Sequence, residues 1–134
     1  MKRTLSNLEV EAVLNVLNDK GSFKNNMTIK LPKDFRQALR INMQTLADRY
    51  KIYQDGVSEI VKEYIDAEKA LIGEDGQIQI KKEYMSEITE ELNELATVPN
   101  ELEFVTVSDA SVDAVLDVDL SVAEEDVVLL FKER

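Results

Sequence analysis

Apolar and tyrosine side chains recur in alternating steps of four and three through the middle of the chain, at Leu39, Met43, Leu46, Tyr50, Tyr53, Val57, Ile60, Tyr64, Ala67 and Leu71. A 3.5-residue repeat keeps one stripe of a helix turned towards a partner. The pattern therefore predicts a single long helix over residues 33–72. At 1.5 Å per residue the seam spans about 50 Å, more than a compact body of this size needs. Pro32 suits the first turn of such a helix, and Asp34 lies near its positive end. Gly56, inside the helix, costs about 1 kcal/mol relative to alanine. It predicts either a bend or another backbone packed closely on that face.

The flanking segments give shorter elements. Ser6 with Glu9 forms a capping box, Leu5 and Val10 are placed for a hydrophobic staple, and an amphipathic helix is expected over residues 7–18. Gly21 is expected to stop it, residues 21–26 to form a loop, and residues 27–31 to form a short strand. Gly73-Glu74-Asp75-Gly76 reads as a turn before a strand at 77–80. A second helix is expected at 81–97, with Met85, Ile88, Leu92 and Leu95 repeating the 3-4 spacing in a seam half as long as the first. The simplest packing is an antiparallel hairpin of helices 33–72 and 81–97. Pro99 breaks the second helix, and residues 101–107 alternate as a strand expected to pair with 27–31 or 77–80. Val112, Val115 and Leu116 mark a short helix. A second capping box, Ser121 with Glu124, opens a final helix carrying Val127, Val128, Leu130 and Phe131.

The fold expected is mainly α with a minor β-sheet, one domain over residues 1–134. Half of the long seam, near Leu39 to Tyr53, is left needing cover from the terminal helices or from another chain.

Composition narrows the chemistry. Cysteine, histidine and tryptophan are absent. That removes thiolate nucleophiles, histidine bases and the usual zinc ligand sets. No glycine-rich phosphate loop is present. Aligning Asp117 with the first position of an EF-hand loop puts Val122 where glycine is required and Val128 where the bidentate glutamate belongs. The expectation is a protein that is not an enzyme and has neither cofactor nor metal.

The net charge of −11 is concentrated, since residues 83–131 hold fourteen acidic side chains and no lysine or arginine. Such a surface repels phosphate and anionic lipid, so neither direct nucleic-acid binding nor membrane binding is expected. The opening segment carries Glu9 and Glu11 where an export core would be apolar, and no run approaches a membrane span. A cytoplasmic location is expected, with association with a virion left open.

Three groups of residues are candidates for function. The seam positions Leu39, Met43, Leu46, Tyr50, Tyr53, Val57, Ile60 and Tyr64 read as core packing or as an oligomerisation interface. Tyr50 and Tyr53 with Arg36, Arg40, Arg49 and Lys51 read as a solvated flank or as an aromatic and cationic pocket for a nucleotide. Glu87, Glu90 and Glu94 on the second helix, followed by Asp109, Asp113 and Asp117, read as a solubilising face or as an imitation of the phosphate array of DNA.

The order of these elements resembles an uncharacterised family of small acidic helical accessory proteins from phages of Gram-positive bacteria. The likeness lies in the leucine-rich opening (Leu5-Ser6-Asn7-Leu8 to Leu17), the long charged helix and the turn Gly73-Glu74-Asp75-Gly76-Gln77. It continues in Glu90-Glu91-Leu92-Asn93-Glu94-Leu95 and in the acidic close from Leu120 to Phe131. It is a likeness of layout and composition that carries over no functional residue. It implies a phage accessory protein made in the bacterial host cytoplasm. The function expected is association with a protein partner or with itself, as a homo-oligomer, through the long helix. The alternative is an antagonist of host antiviral defence, as a DNA mimic aimed at a basic DNA-binding protein or as a sponge for a nucleotide signal.

Overall fold

A computed structural model describes residues 1–18, 31–117, 120 and 122–132. The elements in order are β1 (Lys2–Ser6), α1 (Asn7–Asn18), α2 (Lys33–Asp66), β2 (Ala70–Ile72), β3 (Ile78–Ile80), α3 (Met85–Ala96), β4 (Pro99–Glu103), α4 (Asp109–Leu116) and α5 (Val122–Leu130). A single 3-10 turn, Lys82–Tyr84, leads into α3. The protein is mainly α with a minor β component, as the patterning predicts. None of the described helices is long and apolar enough to cross a membrane.

The first capping box forms: the Glu9 N–H donates to Ser6 Oγ (3.1 Å) and the Ser6 N–H donates to Glu9 Oε1 (2.9 Å). Leu5 and Val10, on either side of it, are both buried. Residues 2–6 are also a strand, which the capping signal hid. β1 pairs antiparallel with β4, from Lys2 opposite Glu103 to Ser6 opposite Pro99. The late strand thus pairs with the chain's first residues rather than with 27–31 or 77–80, and it starts at Pro99 rather than Glu101. Pro99 lacks an N–H and sits at the end of the ladder, where that is tolerated. Residues 77–80 pair instead with the segment just before them, as β2–β3, Ala70 opposite Ile80. The expected Gly21 stop, the 21–26 loop, most of the 27–31 strand and the Ser121 cap lie outside the described residues.

The long helix ends at Asp66, not at 72. Its last turn closes in a Schellman motif: the Glu68 N–H donates to the Ile65 carbonyl (3.1 Å) and the Lys69 N–H donates to that of Tyr64 (2.8 Å). Glu68 takes the left-handed position at φ 61°, a place where glycine is usual. Leu71 consequently leaves the seam and stands in β2, 56% exposed. A tight turn follows, with Gly76 at φ 82° and the Gly73 N–H donating to the Gln77 carbonyl (2.8 Å).

Two apolar cores share α2. The larger surrounds its N-terminal half, where Phe35, Leu39 and Leu46 meet Val10 and Leu14 of α1, Leu102 of β4 and Val128 of α5. Phe131 stacks edge-on against Phe104, with ring centroids 5.6 Å apart. Arg3 holds the end of α5 in place, donating from Nε to the Leu130 carbonyl (3.3 Å) and from Nη2 to that of Lys132 (3.1 Å). The terminal elements therefore cover Leu39 and Leu46 of the Leu39–Tyr53 half of the seam, with Met43 and Tyr50 at the margin of this core. The smaller core lies at the other end, where Tyr64, Ala70 and Ile88 are buried among Ile60, Tyr84 and Leu92. There α2 and α3 form the expected antiparallel hairpin. Gly56 is met by a side chain rather than by another backbone: a Cβ at that position would stand 3.1 Å from Leu95 Cδ2.

Candidate association face

The heptad seam does not remain an open interface. Leu39 and Leu46 are at most 1% exposed and Tyr64 is 4% exposed, so these three side chains are interior. Met43, Tyr50 and Ile60 pack at the margins of the two cores. Of the eight expected interface residues, Tyr50, Tyr53 and Val57 line one open depression and Met43 lines another.

Tyr50, Tyr53 and Val57 begin a trough along one side of α2. An open depression of about 410 Å³ is lined by Glu11 of α1 and by Tyr50, Tyr53, Gln54, Val57 and Ser58. A second, of about 370 Å³, is lined by Val57, Ser58, Val61, Lys62 and Ile65 with Ile78 of β3. They share Val57 and Ser58. Tyr53, Val57, Val61 and Ile65 recur every four residues, which keeps them along one drifting stripe of the helix. α1 borders the trough at one end and the β2–β3 hairpin at the other. Beside it, Leu71, Ile72 and Ile78 of the hairpin are exposed.

Sequence reading missed Gln54, Val61, Ile65, Ser58, Lys62, Glu11 and Ile78. The four-residue spacing was visible, but the heptad pattern passes through the same tyrosines and assigns them to a different stripe. Only the position of α3 decides which stripe is covered.

The nucleotide constellation does not assemble. Arg36 and Arg40 lie about 21 and 15 Å along the helix axis from Tyr50, at 1.5 Å per residue. Arg40 lines a separate depression with Leu14, Asn18, Met43, Gln44 and Ala47. Arg49 is exposed, and Lys51 pairs with Asp55 (3.4 Å). The rings of Tyr50 and Tyr53 do meet, centroids 6.4 Å apart, but their charged neighbour is the Glu11 carboxylate. The Tyr53 hydroxyl is held above the ordinary phenol value, first by burial and then by Glu11 and Tyr50. A carboxylate there disfavours a phosphate.

The acidic candidates all face outward. Glu90 and Glu94 line an open surface of α3 with Met85, Ser86, Thr89, Asn93 and Thr97. Glu87 is committed at the hairpin end, where its Oε1 accepts from Lys69 Nζ at 3.0 Å. That ammonium also lies 5.3 Å from the centroid of Tyr64 and 5.1 Å from that of Tyr84. Asp109 and Asp113 lie on α4, and Asp117 caps its end. Among the described residues, no three acidic side chains converge on one point as metal ligands.

Comparison with protein-family models, with curated proteins and with solved structures finds no match to this chain.

Proposed function

We propose that this chain is a non-enzymatic accessory protein of a phage, working in the bacterial host cytoplasm by protein–protein association through the Tyr50–Ile65 side of α2. The observation that carries the reading is the open trough through Val57, mixed polar and aromatic at its Glu11–Tyr53 end and mainly apolar at its Ile65–Ile78 end. The chain's own elements bury Leu39, Leu46 and Tyr64 of the seam and leave this stretch open. Contiguous open apolar surface rimmed by polar groups is the ordinary mark of an association site. The phage origin rests on the likeness of layout alone.

A photo-reactive benzoylphenylalanine placed at Ser58 tests the reading, with the same residue at Ser86 on the outer side of α3 as the control. Adducts with protein at position 58 and not at 86 are expected. No adducts at position 58, or equal yields at the two positions, would overturn it.

A second reading has its own observation. Glu87, Glu90, Glu94, Asp109, Asp113 and Asp117 stand exposed in a region with no basic side chain between residues 83 and 131, which favours a DNA mimic directed at a basic groove. Such a complex weakens steeply with salt. Neutralising Glu90 and Glu94 together as glutamines should weaken it further. A salt-independent complex, or none with basic DNA-binding proteins, counts against the mimic. The nucleotide-sponge variant loses its support because Arg36 and Arg40 do not reach the tyrosines.

A further inference from the structure

The α2 positions that line the two depressions are related by reversal of the helix. Turning the helix end for end about the Val57–Ser58 bond carries Tyr50 onto Ile65, Tyr53 onto Lys62, Gln54 onto Val61 and Val57 onto Ser58. Every α2 residue lining one depression thereby falls on a residue lining the other. Such a set of positions faces itself across a two-fold axis, as an isologous interface requires.

The charges in the trough are opposite in sign. The first depression has one charged liner, Glu11, and the second has one, Lys62. Among the described ion pairs neither takes part. The reversal that places Tyr53 opposite Lys62 also brings that ammonium towards Glu11, beside the same tyrosine. Each carboxylate then meets a cation, and the cation meets an aromatic face. Ile65 and Ile78 are brought against Tyr50, so the apolar end of one trough meets the aromatic end of the other. Antiparallel alignment also sets the two helix dipoles head to tail.

We propose that the trough takes a second copy of this chain, with the α2 helices packed antiparallel about a two-fold axis at Val57–Ser58. This rests on the association reading above and names its partner. An unrelated protein would need to present both charges in the order that the chain itself already provides.

Sedimentation of the wild-type chain over a concentration series to about 100 µM should show a monomer–dimer equilibrium. Ser58 is exposed, so Ser58→Arg should leave the helical circular dichroism unchanged and abolish the dimer by placing two cations at the axis. Glu11→Lys and Lys62→Glu should each weaken association about fivefold, because each contact occurs twice. The double variant Glu11→Lys/Lys62→Glu should regain the wild-type affinity. A wild-type chain that stays monomeric throughout, or a double variant no tighter than either single one, overturns the antiparallel dimer. The crosslinker at Ser58 separates this failure from that of the association reading. Adducts only with other proteins would sink the dimer and spare the reading, whereas no adducts at all would sink both.

Discussion

The side-chain amide of Asn42 pairs with the backbone of Val105 as a second strand would. Its Nδ2 donates to the Val105 carbonyl at 2.9 Å and its Oδ1 accepts from the Val105 N–H at 2.9 Å. Asn42 is fully buried, so the backbone N–H and carbonyl of Val105, two residues past β4, are satisfied from the N-terminal third of α2. Removing the amide leaves a donor and an acceptor without partners. Asn42→Ala should destabilise the protein by about 2–4 kcal/mol, and Asn42→Leu by at least as much despite its greater apolar volume. Urea unfolding measures both. A loss below about 1 kcal/mol for Asn42→Ala would show that water replaces the amide.

Gly56 is set by Leu95, and this gives a coupling. Alanine in a helix interior gains about 1 kcal/mol over glycine. At position 56 the new Cβ would stand 3.1 Å from Leu95 Cδ2, so Leu95 must shift and the gain is offset. Gly56→Ala should change stability little on its own. In a Leu95→Ala background, where the obstructing methyl is gone, it should stabilise by about 1 kcal/mol. Equal effects in the two backgrounds would show that α3 does not constrain the glycine.

Glu68 is the one described non-glycine residue with a positive φ. A left-handed conformation costs an L side chain about 1–2 kcal/mol, part of which glycine returns as extra freedom in the unfolded chain. Glu68→Gly should therefore raise stability by about 0.5–1 kcal/mol, and Glu68→Val should lower it. Thermal unfolding at neutral pH distinguishes the two directions. A destabilised glycine variant would mean that the Glu68 side chain contributes something its exposure does not suggest.

The alkaline limit of the fold should lie with Tyr64. Burial first, then the neighbouring Glu91 and Glu87, pushes its phenol well above the ordinary value near 10. The folded state therefore holds this proton more tightly than the unfolded chain. Its contribution to stability is intact below about pH 10 and falls as the pH rises beyond it, when the unfolded tyrosine ionises first. Tyr64→Phe keeps the packing and removes the proton. The gap in stability between the variant and the wild type should move in favour of phenylalanine as the pH is raised through 10. A gap that is constant with pH would assign the alkaline loss to other groups.

How much was legible in the sequence differs from one element to the next. The capping box of Ser6 and Glu9, the long helix and the antiparallel α2–α3 hairpin follow from spacing along a single segment, and each formed. The end of α2 did not follow, because a glutamate occupies the left-handed position that glycine would have marked. Pairing of β1 with β4 joins residues about a hundred positions apart in the chain, where alternation shows a strand but not its neighbour. Asn42 has no distinguishing mark in the sequence beside Leu39 and Met43. Its role depends on Val105, which only the tertiary fold brings within reach.

The sequence by itself determined that this protein has a long helix whose apolar stripe must be covered, since periodicity is a local property of the chain. Tertiary structure alone decided which stretches of that helix are covered and by what. The terminal elements close over Phe35, Leu39 and Leu46, and α3 lies across Gly56 and Tyr64. What remains open is a neighbouring stripe, from Tyr50 through Val57 to Ile65. Burial depends on where distant segments come to rest, and no spacing within α2 encodes that.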